Sequence, residues 1–132
     1  MKITTSGKRK RAIAKAVIKE GVGKVTVNRR DYRHLHVFDR LKLEEPLRIF
    51  ENVVGKVNFD VIINVKGGGK NGQIEASRLA LARAISEFSK SKELTAAFLA
   101  YDRQLLVADV RRKEMYKPGD SKARRKRQKS FR

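Results

Sequence analysis

The sequence predicts an α/β (α+β) domain carrying a basic appendage, and three observations lead there. From Val57 to Val65 the chain alternates: Val57, Phe59, Val61, Ile63 and Val65 fall on one side, Asn58, Asp60 and Asn64 on the other. A period of two marks a strand with one buried face. From Gln73 to Phe88 the period changes. Ile74, Leu81, Ile85 and Phe88 fall within a narrow arc of a helical wheel, with Ala82 and Ala84 beside them and Arg83 and Glu87 on the far side. That is an amphipathic helix with a small-residue flank, suited to close packing on a sheet. The third observation is charge. The 132 residues hold 33 Lys+Arg against 14 Asp+Glu, a net +19. A surplus of that size repels itself unless a polyanion neutralises it, and phosphate backbones are the commonest such partner.

Length and composition set the frame. One domain, or one domain and a tail, fits 132 residues, and a hydrophobic fraction of 40% supplies a core. There is no cysteine, so disulfides and thiolate metal sites are excluded, and a reducing compartment is compatible. No apolar run has membrane-spanning length and the N-terminus lacks a signal-peptide core. The expectation is a soluble, intracellular protein with no membrane partner.

In chain order, residues 1–11 read as a short, polar, basic arm ending in the run Lys8-Arg-Lys-Arg11. Ala12-Ile-Ala-Lys-Ala-Val-Ile18 reads as a strand, which would hold that cluster in place at its mouth. Glu20-Gly-Val-Gly23 is a turn signal and Lys24-Val-Thr-Val-Asn28 a returning strand, so residues 12–28 are predicted to form an antiparallel hairpin. Asp31 can cap a helical turn over the following residues. His34 and His36, two apart, would share a face on a strand, but no Cys or acidic pair completes a metal set around them. Glu44 and Glu45 precede Pro46, which suits the first position of a helix with acids at its N-terminus. Leu47, Phe50 and Val54 then share a face and Gly55 stops the helix. Lys92 to Leu99 is a further short helix with Leu94, Phe98 and Leu99, and Leu105-Leu-Val-Ala108 is an edge strand or a packed extended segment.

Between the central strand and helix lies Lys66-Gly-Gly-Gly-Lys-Asn-Gly72. Backbone with few side chains, running into a helix N-terminus, leaves N–H groups free to meet an anion. The segment lacks the Ser or Thr that follows the lysine of a nucleotide-binding P-loop, and no acidic ribose binder follows it. Arg78, a turn inside the helix at the edge of its apolar face, either lays its stem over the core or turns its guanidinium toward an anion at the glycine loop. The sequence suggests no Ser/His/acid set and no carboxylate pair, so nothing points to catalysis.

From Arg111 onward the chemistry shifts. Residues 111–132 hold eleven Lys/Arg against only Glu114 and Asp120, and Pro118-Gly119 forbids one continuous helix. The division expected is a globular domain over 1–110 and an extended basic tail over 111–132. Such a tail cannot bury enough surface to fold alone. It is either a solubilising extension or an arm that orders on nucleic acid, where counterion release rewards each phosphate neutralised.

Several motifs resemble one family. Lys66-Gly-Gly-Gly-Lys-Asn-Gly-Gln73, followed by Ala76-Ser-Arg-Leu-Ala-Leu-Ala-Arg-Ala-Ile85, is similar to the signature of the small-subunit ribosomal protein nine family. Gly7-Lys-Arg-Lys-Arg-Ala-Ile-Ala14 resembles its opening strand. Asp109-Val-Arg-Arg-Lys-Glu114, Ala123-Arg-Arg125 and Gln128-Lys-Ser-Phe-Arg132 resemble its close, and the compact length looks archaeal. The resemblance spans essentially the whole chain. It implies a mixed β-sheet backed by helices on one face, of the kind named after the second domain of ribosomal protein five, with a left-handed crossover. It implies a structural, non-enzymatic constituent of the head of the small subunit, without cofactors, in the cytoplasmic ribosome. Its partners would be small-subunit ribosomal RNA, neighbouring head proteins and the tRNA of the peptidyl site. Ribosomal RNA contacts are expected at Lys8, Arg9, Lys10 and Arg11, at Lys66, Gly67, Gly68, Gly69 and Lys70, and at Arg78. In the tail they are expected at Arg111, Arg112, Lys113, Lys117, Lys122, Arg124, Arg125, Lys126 and Arg127. Contacts to tRNA are expected at Lys129, Ser130, Phe131 and Arg132. The family's terminal arginine matches Arg132; where the bacterial pattern places lysine directly before it, this chain has Phe131, which either stacks on a base or ribose or fills a gap in an RNA groove.

Two rivals have distinct signatures. A free architectural or regulatory protein would bind unrelated DNA or mRNA equally, with the tail sufficient. A phosphate-ligand enzyme would bind nucleotide through Gly67–Gly69 even at high salt.

Overall fold

The two periodic segments become the strand and helix at the centre of the molecule. In the computed structural model, which describes residues 1–119, 122–124 and 130–131, the chain runs β1 (Lys2–Arg9), β2 (Ala12–Glu20), β3 (Val25–Val27), β4 (Arg30–Asp31), α1 (Val37–Val53), β5 (Phe59–Lys66), α2 (Lys70–Ser89) and α3 (Lys92–Tyr101). Short 3₁₀ turns sit at Tyr32–His34 and Arg103–Leu105. Asp31 caps the first as its position suggests, its carboxylate accepting the Arg33 N–H at 3.0 Å.

The sheet is mixed, in the order β1-β2-β5-β3-β4, with β3 and β5 parallel and the other neighbours antiparallel. Phe59, Val61, Ile63 and Val65 of β5 and Ala12, Ala14, Ala16 and Ile18 of β2 turn to one face, where α2 lies across β1, β2 and β5. The alanines on both sides let the layers approach closely. Helix α1 packs beside α2, and α3 beside α1. Phe50, Phe59 and Phe88 meet edge to face, with centroids 5.1 and 5.7 Å apart, joining α1, β5 and α2. The expected backing of the sheet by helices on one face is what the structure shows.

Five expectations are corrected. Residues 12–28 do not form a hairpin, because β5 inserts between β2 and β3. The Asp60 side chain explains the rerouting: its Oδ1 accepts the N–H groups of Val22, Gly23 and Lys24 at 3.0, 3.1 and 2.9 Å. The 20–24 loop is thereby pinned to β5 instead of folding back on β2, and the three N–H donors, led by that of Lys24, hold the Asp60 carboxyl below its ordinary range. On its other side β2 pairs with β1, in the segment expected to be a polar arm. Its fully buried residues are Thr5 and Gly7, which with the partly buried Ile3 give a mixed and not an apolar period; Thr5 is buried by donating its hydroxyl to the Ala80 carbonyl at 2.9 Å.

Pro46 is not at a helix start. Helix α1 begins nine residues earlier, and Pro46 is buried inside it. Proline costs the helix an internal hydrogen bond; here its ring joins the apolar face with Leu43, Leu47 and Phe50. Val54 lies at the helix end, half exposed, while Gly55 does terminate it, with φ +115° and its N–H on the Phe50 carbonyl at 3.3 Å. Helix α2 begins at Lys70, so Lys70, Asn71 and Gly72 belong to its first turn and not to the loop. Leu105 is buried at the end of a 3₁₀ turn and Leu105–Ala108 is no strand. From residue 107 onward the described residues form neither helix nor strand.

Candidate nucleic-acid interface

The basic run 8–11 and the glycine segment are 55 or more residues apart in sequence, yet the backbone puts them side by side. Lys10 turns the chain from β1 into β2 at φ +53°, and Gly67 and Gly68 stand opposite at φ +78° and +64°. A Cβ on Gly67 would lie 2.7 Å from the Arg11 carbonyl oxygen, and one on Gly68 2.9 Å from the Ala12 nitrogen. Only glycine meets both the left-handed backbone and the close approach. Gln73, in the first turn of α2, donates its amide to the Gly67 carbonyl at 3.1 Å and fixes the loop against the helix.

A third segment completes the site. Residues 111–116 run past this pair of loops and close a groove of about 1140 Å³. Lys8, Lys10, Arg11, Arg111, Arg112 and Lys113 line it, with Gly68 and Gly69 on its floor. Met115 and Tyr116 add exposed apolar surface, and the Lys113 ammonium sits 4.7 Å from the Tyr116 ring centre. Glu114, the acid of this stretch, pairs with Arg124 at 2.8 Å, and that pairing lowers its pKa. The groove therefore presents converging cations, backbone and an aromatic face, a combination that suits a nucleic-acid strand.

The tail's departure is held by a relay of charges. Arg9 donates to Glu75 of α2 at 2.7 Å and lies 3.3 Å from Asp109. Asp109 in turn accepts the Arg111 backbone N–H at 2.9 Å and its guanidinium at 2.8 Å. These Arg111 hydrogen bonds, with Arg9 nearby, hold the Asp109 carboxyl down at about 2, from an ordinary 3.8. A lowered folded-state pKa means the carboxylate's stabilisation is complete above about 3.8 and disappears as pH falls through about 2. The expected result is a carboxyl carbon titration of Asp109 with a midpoint near 2, and faster proteolysis after Arg111 in Asp109→Asn at neutral pH. A midpoint near 3.8 would mean the tail is not held this way.

The basic residues singled out in the sequence thus separate into two groups. Arg9 is a structural tie, with a side chain only 15% exposed. Arg78 follows neither of its two expected courses: its guanidinium donates to Glu45 at 2.8 Å and Asp102 at 3.2 Å, linking α2 to α1 and to the turn after α3. Lys70 lies 3.5 Å from Asp39. Lys66, Lys117, Lys122 and Arg124 are exposed, as are Ser130 and Phe131. Arg125, Lys126, Arg127, Lys129 and Arg132 lie outside the described residues. His34 ends a 3₁₀ turn and His36 precedes α1 with its ring 5.6 Å from Phe38. Among the described residues no three His, Cys, Asp or Glu are grouped to hold a metal, and no helix is long and apolar enough to cross a membrane. Arg83, assigned by its period to the solvent side, instead donates to the carbonyls of Leu106 at 3.0 Å and Ser6 at 2.9 Å. Backbone acceptors leave no mark in a sequence, so no signal could have found this clamp.

A mixed sheet backed by helices, with a groove lined by lysines and arginines over glycine backbone, defines an α/β domain with a strongly basic face. Residues 7–132 match the family model described as ribosomal protein S9/S16, and the chain belongs to that family, whose members are structural ribosomal proteins and not enzymes. It is 46% identical over 133 residues to the small ribosomal subunit protein uS9 of Methanococcus maripaludis strain C7, covering 98% of each chain. The identity is 45% over 132 residues to uS9 of Thermoplasma volcanium, again covering 98% of each chain. It is 47% over 128 residues to uS9 of Picrophilus torridus, covering 96% of this chain and 94% of that one. These relatives are archaeal, in agreement with the archaeal character of the motifs.

Proposed function

We propose that this chain is a structural constituent of the small ribosomal subunit, in the head, on the cytoplasmic ribosome, where it binds ribosomal RNA through the groove. The observation that carries the reading is convergence. Lys8, Lys10 and Arg11, the backbone of Gly68 and Gly69, and residues 111–116, distant in sequence, form one basic surface, while Arg9 and Arg78 are occupied by carboxylates. The near full-length similarity to small-subunit uS9 proteins supports the same reading. Neighbouring head proteins would meet the remaining surface. The tail, leaving the groove at residue 117, extends into RNA toward the peptidyl site, where Lys129, Ser130, Phe131 and Arg132 approach the tRNA. Lys117, Lys122 and Arg124, with Arg125, Lys126 and Arg127, neutralise phosphates along the way.

The test is small subunits assembled with the full chain or with a chain lacking Lys129–Arg132. Sedimentation should show normal assembly of both. Binding of tRNA at the peptidyl site should weaken about tenfold in the truncated subunit, the loss of one or two charge-assisted contacts. Unchanged tRNA affinity would refute the tail's role without touching the groove.

A further inference from the structure

The sheet face opposite α2 is open, and it is basic. Successive outward residues are Lys8, Ile13 and Lys66 across one row, and Lys15 with Asn64 across the next. At the edge, β3 turns into β4 through Asn28 and Arg29, both left-handed at φ +48° and +69°. A two-residue turn of this primed type favours glycine at its second position. Asn28 earns its place by geometry: its backbone N–H donates to the Ile63 carbonyl at 2.8 Å. Its side-chain amide then pairs with Val65, accepting the N–H at 2.9 Å and donating to the carbonyl at 3.2 Å. The turn is thereby locked to β5. Arg29 has no such partner, yet occupies a conformation that glycine adopts freely and arginine does not. Strain kept at an exposed position points to a use for the side chain.

Lys15, Arg29, Lys66, Asn64, Asn28 and Ile13 enclose a hollow of about 640 Å³. None of its lining residues is acidic, and among the described residues no carboxylate forms an ion pair with Lys15, Arg29 or Lys66. Ile13 borders both this hollow and the groove, so the two surfaces are continuous.

We propose that the hollow on the open sheet face, built on the locked Asn28–Arg29 turn, is a second phosphate-binding site that carries an RNA strand onward from the groove. Arg29 offers a planar fork to a phosphodiester, and Lys15 and Lys66 flank it as point charges. The two side-chain amides at Asn28 and Asn64 differ in role: Asn28 is occupied by β5, while Asn64 faces outward to a ribose hydroxyl. A protein partner fits less well. The apolar residues of this face, Ile13 at 45% and Ile62 at 42% exposed, are too few and too interrupted by lysines for the dry centre a protein interface needs. The proposal rests on the RNA-binding reading given above, and the test separates the two.

The double variant Lys15→Ser, Arg29→Gly of the full chain is compared with the parent for binding to small-subunit ribosomal RNA across a salt series. Glycine relieves the turn, so the melting temperature should hold or rise. Affinity should fall about tenfold, and the slope of log affinity against log salt should become shallower by roughly one to two, about 0.7 to 0.9 per phosphate released. Unchanged affinity and slope, with groove charge reversals still weakening binding, would overturn the second site alone. If groove reversals also do nothing, the RNA-binding reading falls with it. A single cysteine at Thr4, on this face of a chain with no cysteine of its own, would carry a tethered radical probe into the assembled subunit. Cleavage of RNA strands supports the proposal; cross-linking to a protein with no RNA cleavage overturns it.

Discussion

Replacing Gly7 by alanine is expected to destabilise the domain by about 3 kcal/mol, the upper end of what overpacking a tight core costs. The side chain would enter the interface between β1 and α2, where an added Cβ would stand 2.4 Å from the Ala76 carbonyl oxygen and 2.7 Å from the Ala80 nitrogen. Both are backbone atoms in the middle of a 20-residue helix, so no side chain can swing aside. Relief requires α2 to move off the sheet. That movement would break the Thr5 hydroxyl's bond to the Ala80 carbonyl and open the alanine seam along Ala12, Ala14 and Ala16. At roughly 4 °C per kcal/mol for a domain of this size, the melting midpoint should drop by about 12 °C. Gly69→Ser is the control. That glycine caps α2 at φ −94° with nothing within 4 Å of a Cβ, and serine is the better N-cap, so stability should hold or rise by a few tenths of a kcal/mol. Equal behaviour of the two variants in a thermal melt would show that the contact at Gly7 is not tight.

The same residue shows why only part of the fold is legible in the sequence. Strand β5 and helix α2 announce themselves because each buries a continuous apolar set at its own period. Strand β1 does not, because the inward position nearest α2 must be empty of side chain and the next is a hydroxyl satisfied by a helix carbonyl. Strand order is hidden for a different reason. A period of two says which face is buried but nothing about the neighbour, and the choice of β5 over β3 as the partner of β2 follows from Asp60 capping a loop 36 or more residues away. Pro46 misleads because its usual position and its buried one differ in helical context, not in the proline itself. The candidate site divides likewise. The cations of 8–11, 66–70 and 111–113 were visible as charge. Which of them are already paired was not, since Arg9 meets Glu75 and Lys70 meets Asp39 only through the tertiary fold.

That distinction gives the second large effect. Reversing Lys10, Arg11 and Lys113 to glutamate should reduce affinity for small-subunit ribosomal RNA by a factor of about 1000 at physiological salt, and flatten the log–log salt slope by roughly two to three. The three residues line the groove from two of its three segments, and none pairs with a carboxylate among the described residues, so each charge is available to phosphate. Reversing Lys24, Lys56 and Lys92, exposed residues that line none of the groove, changes the net charge of +19 by the same amount. Long-range steering is screened beyond a Debye length of about 8 Å at this salt, so the control should lose no more than about tenfold. Equal losses in the two variants would mean that RNA responds to total charge and that the groove is not a site. A large loss confined to the first would mean that position matters, and that Gly67 and Gly68 serve by letting the basic turn approach close enough to act together with the tail.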